Sequence, residues 1–516
     1  MEKIEKKSLK EIVAKNVFHN FSLNIISNIF SFAFVIFLAR ILQPELYGIY
    51  GLVLSIVLLF SRFTDLGINT TVIRFVSKSL KNKKEARAYT HYLFKIKMYL
   101  VLSLSLIMIL LAKPLSVFVF KNPALTLPLI ISVLYLFISS ITEFSASLFS
   151  AFNEFKYHPK KELVFQISRF ITIFLFIFLI GKTVLNIFIA LSISYALTFV
   201  FVFIIVRKKY AFLFKDYSLK SIFPKLLNYK YPGFTISQSK RIEILRYIAY
   251  LAVTAMGTAF FVYISTIMLG AFIDAKYIGF YRLAYGMVAM LIGFCSVGTV
   301  LFPVFSFLEK KRLGNVFKKT FKYSMVLTFP IAFIVPVTFK PLIILFYGIE
   351  YAPSIIPLYF LSTLVITETA FLYPRMLFYA RGKPEWPVKI MIVSSILNIL
   401  LNYFLIKYFL NFSQMFATVG ATMAIAISSL FYFILMAIAT KKELNIGIEA
   451  SSILKPLLAS SVMALFLLFI NEFIILNWFI AGVEIILGII FYFLVMLLIK
   501  GVNKEEFLLF KYIFRK

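Results

Sequence analysis

The sequence has a single cysteine, Cys295, only 22 acidic residues and only three histidines in 516 positions. One cysteine excludes disulfides and cysteine-rich metal sites. No His/Cys/Asp/Glu spacing suits a metal, and no phosphate-binding loop or glycine-rich dinucleotide turn is present, so the chain offers no catalytic, metal or cofactor residues. Charge as a whole is scarce at 15%, where a soluble domain has about 25%. In its place 61% of residues are hydrophobic, and mean hydropathy is +0.94. Apolar runs of membrane-crossing length recur along the whole chain; each can cross a hydrocarbon core about 30 Å thick as one helix. The short alternating segments of a transmembrane barrel are missing. The expected class is all-α and polytopic, with about fourteen spans.

The N-terminal 20 residues are basic and precede an apolar run, 21–39. That run is too long for a secretory signal and lacks a cleavage site, so it reads as the first permanent span. Lys and Arg number 54, for a net charge of +32. With the N-terminus inside, connections assigned to the cytoplasm carry 42 of them and external connections 7. This alternation predicts a multi-pass protein of the cytoplasmic membrane with both termini cytoplasmic. The charge is thereby explained by anionic lipid headgroups and not by nucleic acid. Two cytoplasmic connections are long, 62–97 and 207–247. The second mixes Lys208 to Lys230 with Phe212, Phe214 and Phe223 and reads as an interfacial amphipathic helix.

An internal repeat is visible. Tyr47 to Leu52 (YGIYGL) matches Ile278 to Leu283 (IGFYRL), 231 positions on; Asp65 to Gly67 faces Ser296 to Gly298 at the same offset. Lys113-Pro114-Leu115 matches Lys340-Pro341-Leu342, and Asn122-Pro123 falls opposite Ala352-Pro353. Six spans separate the copies, an even number, so the halves should share one orientation. The expected organisation is an N-terminal six-helix lobe (1–210), an amphipathic linker (211–247), a second six-helix lobe (248–440) and two appended helices with a basic tail (441–516).

These segments, with Ala39 to Tyr50, Asp65 to Phe75, Tyr277 to Ala284, Leu345 to Leu358 and Thr418 to Ser428, resemble the Wzx-like polysaccharide flippases of the multidrug/oligosaccharidyl-lipid/polysaccharide exporter superfamily. The resemblance implies two six-helix bundles around a central cavity that work by alternating access. It implies translocation of a polyisoprenoid-linked oligosaccharide or polysaccharide precursor. The implied partners are that lipid-linked saccharide, membrane lipids, H+ or Na+, and glycan-assembly enzymes. Where such flippases often carry an Asp in span 7, this chain has Ser265 and Thr266, and the stretch around Ser237 to Tyr247 is about ten residues longer than usual.

An ionisable group at the bilayer centre costs about 2.5–3.5 kcal/mol or more, which makes each one a functional candidate. Arg169, Arg375 and Lys389 are the candidates for contacting the substrate phosphate; Glu143 and Glu368 are the candidates for ion coupling. Bland readings stand beside them. Arg375 and Lys389 lie near cytoplasmic helix ends, where they can snorkel. Glu143 and Arg169 can pair with each other. Glu484 lies in the appended helices, where a structural role is expected. Alternatives to a flippase are a cation-coupled drug or metabolite antiporter of the same superfamily, a membrane-embedded glycosyltransferase or polymerase, and a non-catalytic component of a glycan-assembly complex. Intramembrane carboxylates are too few for the first, and the external loops too short and too poor in acid for the second.

Overall fold

The computed structural model describes residues 2–214, 236–295, 310–474 and 477–502, with side chains from residue 26 onward except at 214 and 310–312. Most of the expected amphipathic linker, and the repeat partner Ser296 to Gly298, lie outside the described residues. The described chain is helical, with no strand. Twelve helices are long and apolar enough to cross a membrane, thirteen with the bent pair Ile349–Leu361 and Thr363–Ala380. The first of these, Ile26–Lys78, spans 53 residues, about 80 Å at 1.5 Å per residue, more than twice a bilayer core. It is broken at Gln43, whose φ of 59° no helix interior tolerates. Counted as two crossings, it accounts for the fourteen spans expected. Phe178, Leu179, Phe473 and Leu498 are among many large apolar side chains left exposed, a surface suited to lipid and not to water.

The chain divides into two compact units. One comprises Met1–Leu42 and Leu52–Tyr263; the other comprises Gln43–Gly51 and Ile264–Lys516.

In the first unit, α1 (Glu2–Asp65) stops because Leu66 and Gly67 adopt φ of 42° and 78°. Gly67 tolerates this conformation without penalty. A short amphipathic α2 (Ile68–Lys78) buries Ile68, Val72, Phe75 and Val76. Asn82 then caps α3 (Lys83–Pro114), accepting from the amides of Lys84 and Glu85. The long connection 62–97 is therefore largely helix, with consequences for the site. After π-helical and 3-10 turns come α4 (Thr126–Ala151), α5 (Tyr157–Leu179), α6 (Val184–Lys209) and, from the far side of the undescribed segment, the first part of α7 (Gln238–Phe272). The α4–α5 turn is tied to the end of α6 by Glu154, which pairs with Lys209 and, at 3.3 Å, with Lys156. The hydrogen bond from Lys209, helped by a weaker one from Lys156, holds the Glu154 carboxyl below its usual range against the opposing effect of burial. A carboxylate shifted downward stabilises the fold above its unfolded pKa, and that stability is lost as pH falls through the folded value. Glu154→Gln should thus cost less than about 1 kcal/mol at neutral pH, solvent screening included, and nothing in strong acid, as thermal unfolding across pH would show.

In the second unit, α8 runs from Ala275 to Cys295, nine residues earlier than the hydropathy of 284–304 suggests. Its early start has a packing reason. A Cβ on Gly279 would stand 2.1 Å from the Pro44 carbonyl oxygen, and one on Gly48 would stand 1.7 Å from that of Ala275. Backbone meets backbone at the two matched glycines of the repeat, and Tyr47 and Phe280 both pack edge-on to Tyr351. Next come α9 (Lys310–Tyr347), a 3-10 turn Ile349–Ser354, α10 (Ile355–Leu361), α11 (Thr363–Ala380), α12 (Glu385–Leu410) and α13 (Gln414–Leu444). Pro123 and Pro353, matched in the repeat, each sit in a 3-10 turn. The helix pairs α5–α6 and α12–α13 also correspond. Thr172 donates to the Ala190 carbonyl at 3.1 Å in the first; Gly420, 230 positions after Ala190, abuts the Leu405 backbone in the second. The appended α14 (Ser451–Asn471) and α15 (Trp478–Leu498) pack on α9 around Val326, Ile334, Met463, Leu467 and Tyr492.

Candidate functional site

In the first unit, charged side chains of α3, α4 and α5 come together, with the two lysines buried and the carboxylates partly exposed. Lys97, on α3, is 1% exposed and meets Asp65 at 3.4 Å. Asp65 is fixed by the chain break that ends α1, and its carboxylate also accepts from the Asn69 amide at the start of α2. Glu143, on α4, contributes to the field at Lys97 and pairs with Lys161 of α5 at 2.6 Å. Lys161 is also 3.9 Å from Glu162. Gln166 donates to Glu162 at 3.0 Å and accepts from Arg169. Glu162, Gln166 and Arg169 follow at helical spacing, so α5 carries them on one face. The Arg169 guanidinium lies 3.8 Å from the Phe34 ring centroid and 5.3 Å from that of Phe165, a cation–π placement that holds the charge where few anions compete.

The contacts run Glu143–Lys161–Glu162–Gln166–Arg169, so that Lys161 stands beside the carboxylate that could have paired with Arg169. Lys161 intervenes because it is a turn or two nearer the start of α5 and so lies level with Glu143. Asp65, Lys97 and Lys161 were not among the candidates, since hydropathy assigns all three to connections. The signal that could have found Lys97 is the Asn82-x-x-Glu85 start of helix α3, which places Lys97 well inside a continuous helix.

In the second unit, Glu368 and Arg375 lie seven residues apart on α11, two turns along one face. Arg375 is the charged group acting on Glu368, and its guanidinium sits 5.5 Å from the Phe371 ring. Thr367 is hydrogen-bonded to Ser429 of α13 at 2.8 Å. Phe371 packs edge-on against Tyr432 at 4.7 Å. The Tyr432 hydroxyl has no hydrogen-bond partner among the described residues, and no hydrogen bond or ion pair engages the Glu368 carboxylate there. These groups keep hydrogen-bonding capacity unmet among the described residues. Lys389 stands apart: it is exposed, 5.6 Å over the Trp386 ring at the start of α12, a placement that suits snorkelling. Among the described residues, no group of three or more His, Cys, Asp or Glu side chains could hold a metal ion.

Each unit thus carries a cation and a carboxylate on its helices, Arg169 on α5 and Glu143 on α4 in the first, Arg375 and Glu368 on α11 in the second. Similar proteins bear on which chemistry applies. Residues 13–309 match the polysaccharide biosynthesis protein family. An uncharacterized membrane protein of Methanocaldococcus jannaschii, MJ1068, is 26% identical over 479 residues, covering 87% of this chain and 89% of its own. The probable low-salt glycan biosynthesis flippase Agl15 of Haloferax volcanii is 24% identical over 240 residues, 46% of this chain and 48% of its own. In fold, the chain resembles the lipid II flippase MurJ in an inward closed conformation, with a TM-score of 0.73 at 15% identity over 92% of this chain and 97% of that one. It also resembles an inward-facing multidrug resistance transporter of the MATE family, with a TM-score of 0.61 at 12% identity over 83% and 98%. The chain is a multi-pass helical membrane protein that belongs to the polysaccharide biosynthesis protein family.

Proposed function

We propose that this protein translocates a polyisoprenoid-linked oligosaccharide or polysaccharide precursor across the cytoplasmic membrane by alternating access, with both termini on the cytoplasmic side. The observation that carries the reading is the run of ionisable groups on the membrane helices α3, α4 and α5, in a chain of a polysaccharide biosynthesis family. Charge in that setting is too costly to keep for packing alone. The flippase name of the Haloferax relative supports the same reading. A phosphate-linked sugar head is too polar for hydrocarbon and needs cations along its route. Arg169 and Arg375 supply them in this reading, with Lys389 nearer the entrance. Glu143 and Glu368 exchange H+ or Na+ and couple the movement to an ion gradient. Glycan-assembly enzymes would supply the cargo and consume it.

The test is reconstitution in proteoliposomes with a fluorescent lipid-linked saccharide, scoring its translocation with and without an ion gradient. A charge-assisted hydrogen bond contributes about 1.5–3 kcal/mol, so Arg169→Ala and Arg375→Ala should each slow translocation by roughly ten- to a hundredfold. Full activity in both variants would remove the cationic route. Glu368→Gln should abolish the dependence on the gradient; an unchanged dependence would exclude Glu368 from coupling.

A further inference from the structure

The appended helices contain an acidic group that the proposed transport route does not use. Helix α15 buries one face, Ala481, Glu484, Gly488, Tyr492 and Met496. That face is seated firmly. Tyr492 donates to the Val326 carbonyl of α9 at 2.9 Å. A Cβ on Gly488 would lie 3.0 Å from Leu467 of α14 and 3.6 Å from Ile334 of α9. Glu484 is one turn before Gly488 and is 2% exposed. Neither of its carboxylate oxygens has a hydrogen-bond partner among the described residues.

Its polar neighbour is Asn471, the last residue of α14. The Asn471 Oδ1 atom is likewise buried and without a partner. No described charged group on the packed helices acts on Glu484: not Lys318, Lys319, Lys322 or Lys340 of α9, nor Lys455 of α14, nor Glu472 beyond it. The tyrosines of these helices, Tyr323, Tyr347 and Tyr492, do not act on it either. Among the described residues the one donor facing the carboxylate is the Asn471 side-chain amide, and no cation acts on it. An ionised carboxylate so placed keeps most of its desolvation cost. A proton removes the charge and supplies the donor that Asn471 Oδ1 lacks, so that acid and amide can pair in both directions.

We propose that Glu484 and Asn471 form a proton-binding site in the α9–α14–α15 interface, the Glu484 carboxyl holding the proton and donating it to Asn471 Oδ1. Glu484 lies six residues into α15, about 9 Å along the axis from its start, so the path for a proton from that end of the helix is short. Both residues lie on the appended helices, and the site does not depend on what cargo the protein carries.

Infrared difference spectra of the full-length protein in lipid nanodiscs, wild type minus Glu484→Gln at neutral pH, test this directly. The expected result is the carbonyl-stretch band of a protonated carboxylic acid, lost on strong alkalinisation and moved to higher frequency in Asn471→Leu, which removes the acceptor. Glu484→Ala serves the same subtraction should Glu484→Gln be poorly recovered. Carboxylate bands alone at neutral pH would overturn the proposal. So would carboxylate bands that respond to sodium, by assigning the site to a metal cation, and so would a protonated band indifferent to Asn471→Leu.

Discussion

Asp65→Asn should destabilise the protein by about 3–5 kcal/mol, whereas Lys97→Met should cost far less. Asn retains an oxygen that can accept from the Asn69 amide, so the substitution removes charge more than it removes structure. What it leaves behind is Lys97, 1% exposed and 3.4 Å from the former carboxylate. Breaking a buried pair from one side leaves an uncompensated charge, and that is the expensive outcome. Asp65 is 28% exposed, so its own charge survives the loss of Lys97 by hydration. The double variant Asp65→Asn/Lys97→Met should recover most of the stability, because no buried charge remains. Thermal unfolding of the detergent-solubilised variants, read by size-exclusion chromatography, measures all three. Equal losses for the two single variants would show that Lys97 is hydrated and that the pair lies open to water.

The second large effect concerns the matched glycines. Gly279→Ala puts a methyl group where the Pro44 carbonyl oxygen stands, 2.1 Å away, and Gly48→Ala does the same against Ala275 at 1.7 Å. Neither obstacle is a flexible side-chain end, so backbone must shift. Overpacking of that kind costs about 1–3 kcal/mol and occasionally more. Gly286 lies on the same helix α8 with nothing within 4 Å of an added Cβ. Gly286→Ala should therefore be stabilising by roughly 0.5–1 kcal/mol through helix propensity alone. Opposite signs for Gly279→Ala and Gly286→Ala, measured side by side, distinguish close backbone packing from a general intolerance of alanine in α8. A stable Gly279→Ala protein would mean that α8 and the Gln43–Gly51 segment separate easily.

The repeat connects these glycines to the sequence. Gly48 and Gly279 occupy the same place in YGIYGL and IGFYRL, and the structure puts each against backbone adjoining the other. Pattern matching found the correspondence but gave no reason for it. The reason is steric: only residues without a Cβ allow the two segments to approach this closely. The same holds for the appended helices. Their apolar runs were plain, and Glu484 stood out as an acid within them. That it would be buried with so few polar neighbours among the described residues depended on what α9 and α14 placed around it.

The candidate site was legible only in part. Arg169, Glu143, Glu368 and Arg375 stood out because a charge within an apolar run is conspicuous. Lys97, Asp65 and Lys161 did not, because hydropathy averages over a window and assigns a charged stretch to a loop even where capping continues the helix. Partners were less legible still. Glu143 and Arg169 looked suited to each other, yet helix register set Lys161 beside Glu143 and gave Arg169 to Gln166 and Phe34.

By itself, the sequence determined that this is an all-helical membrane protein of about fourteen spans, with segments that recur in both halves and cations crowded into alternate connections. Those properties depend on backbone satisfaction in lipid, on span length and on charge along the chain, all of which are additive over neighbouring residues. Only tertiary structure decided which charges are buried, which are paired and which glycines touch. Such properties arise between residues dozens to hundreds of positions apart, where a shift of one helical turn exchanges one partner for another.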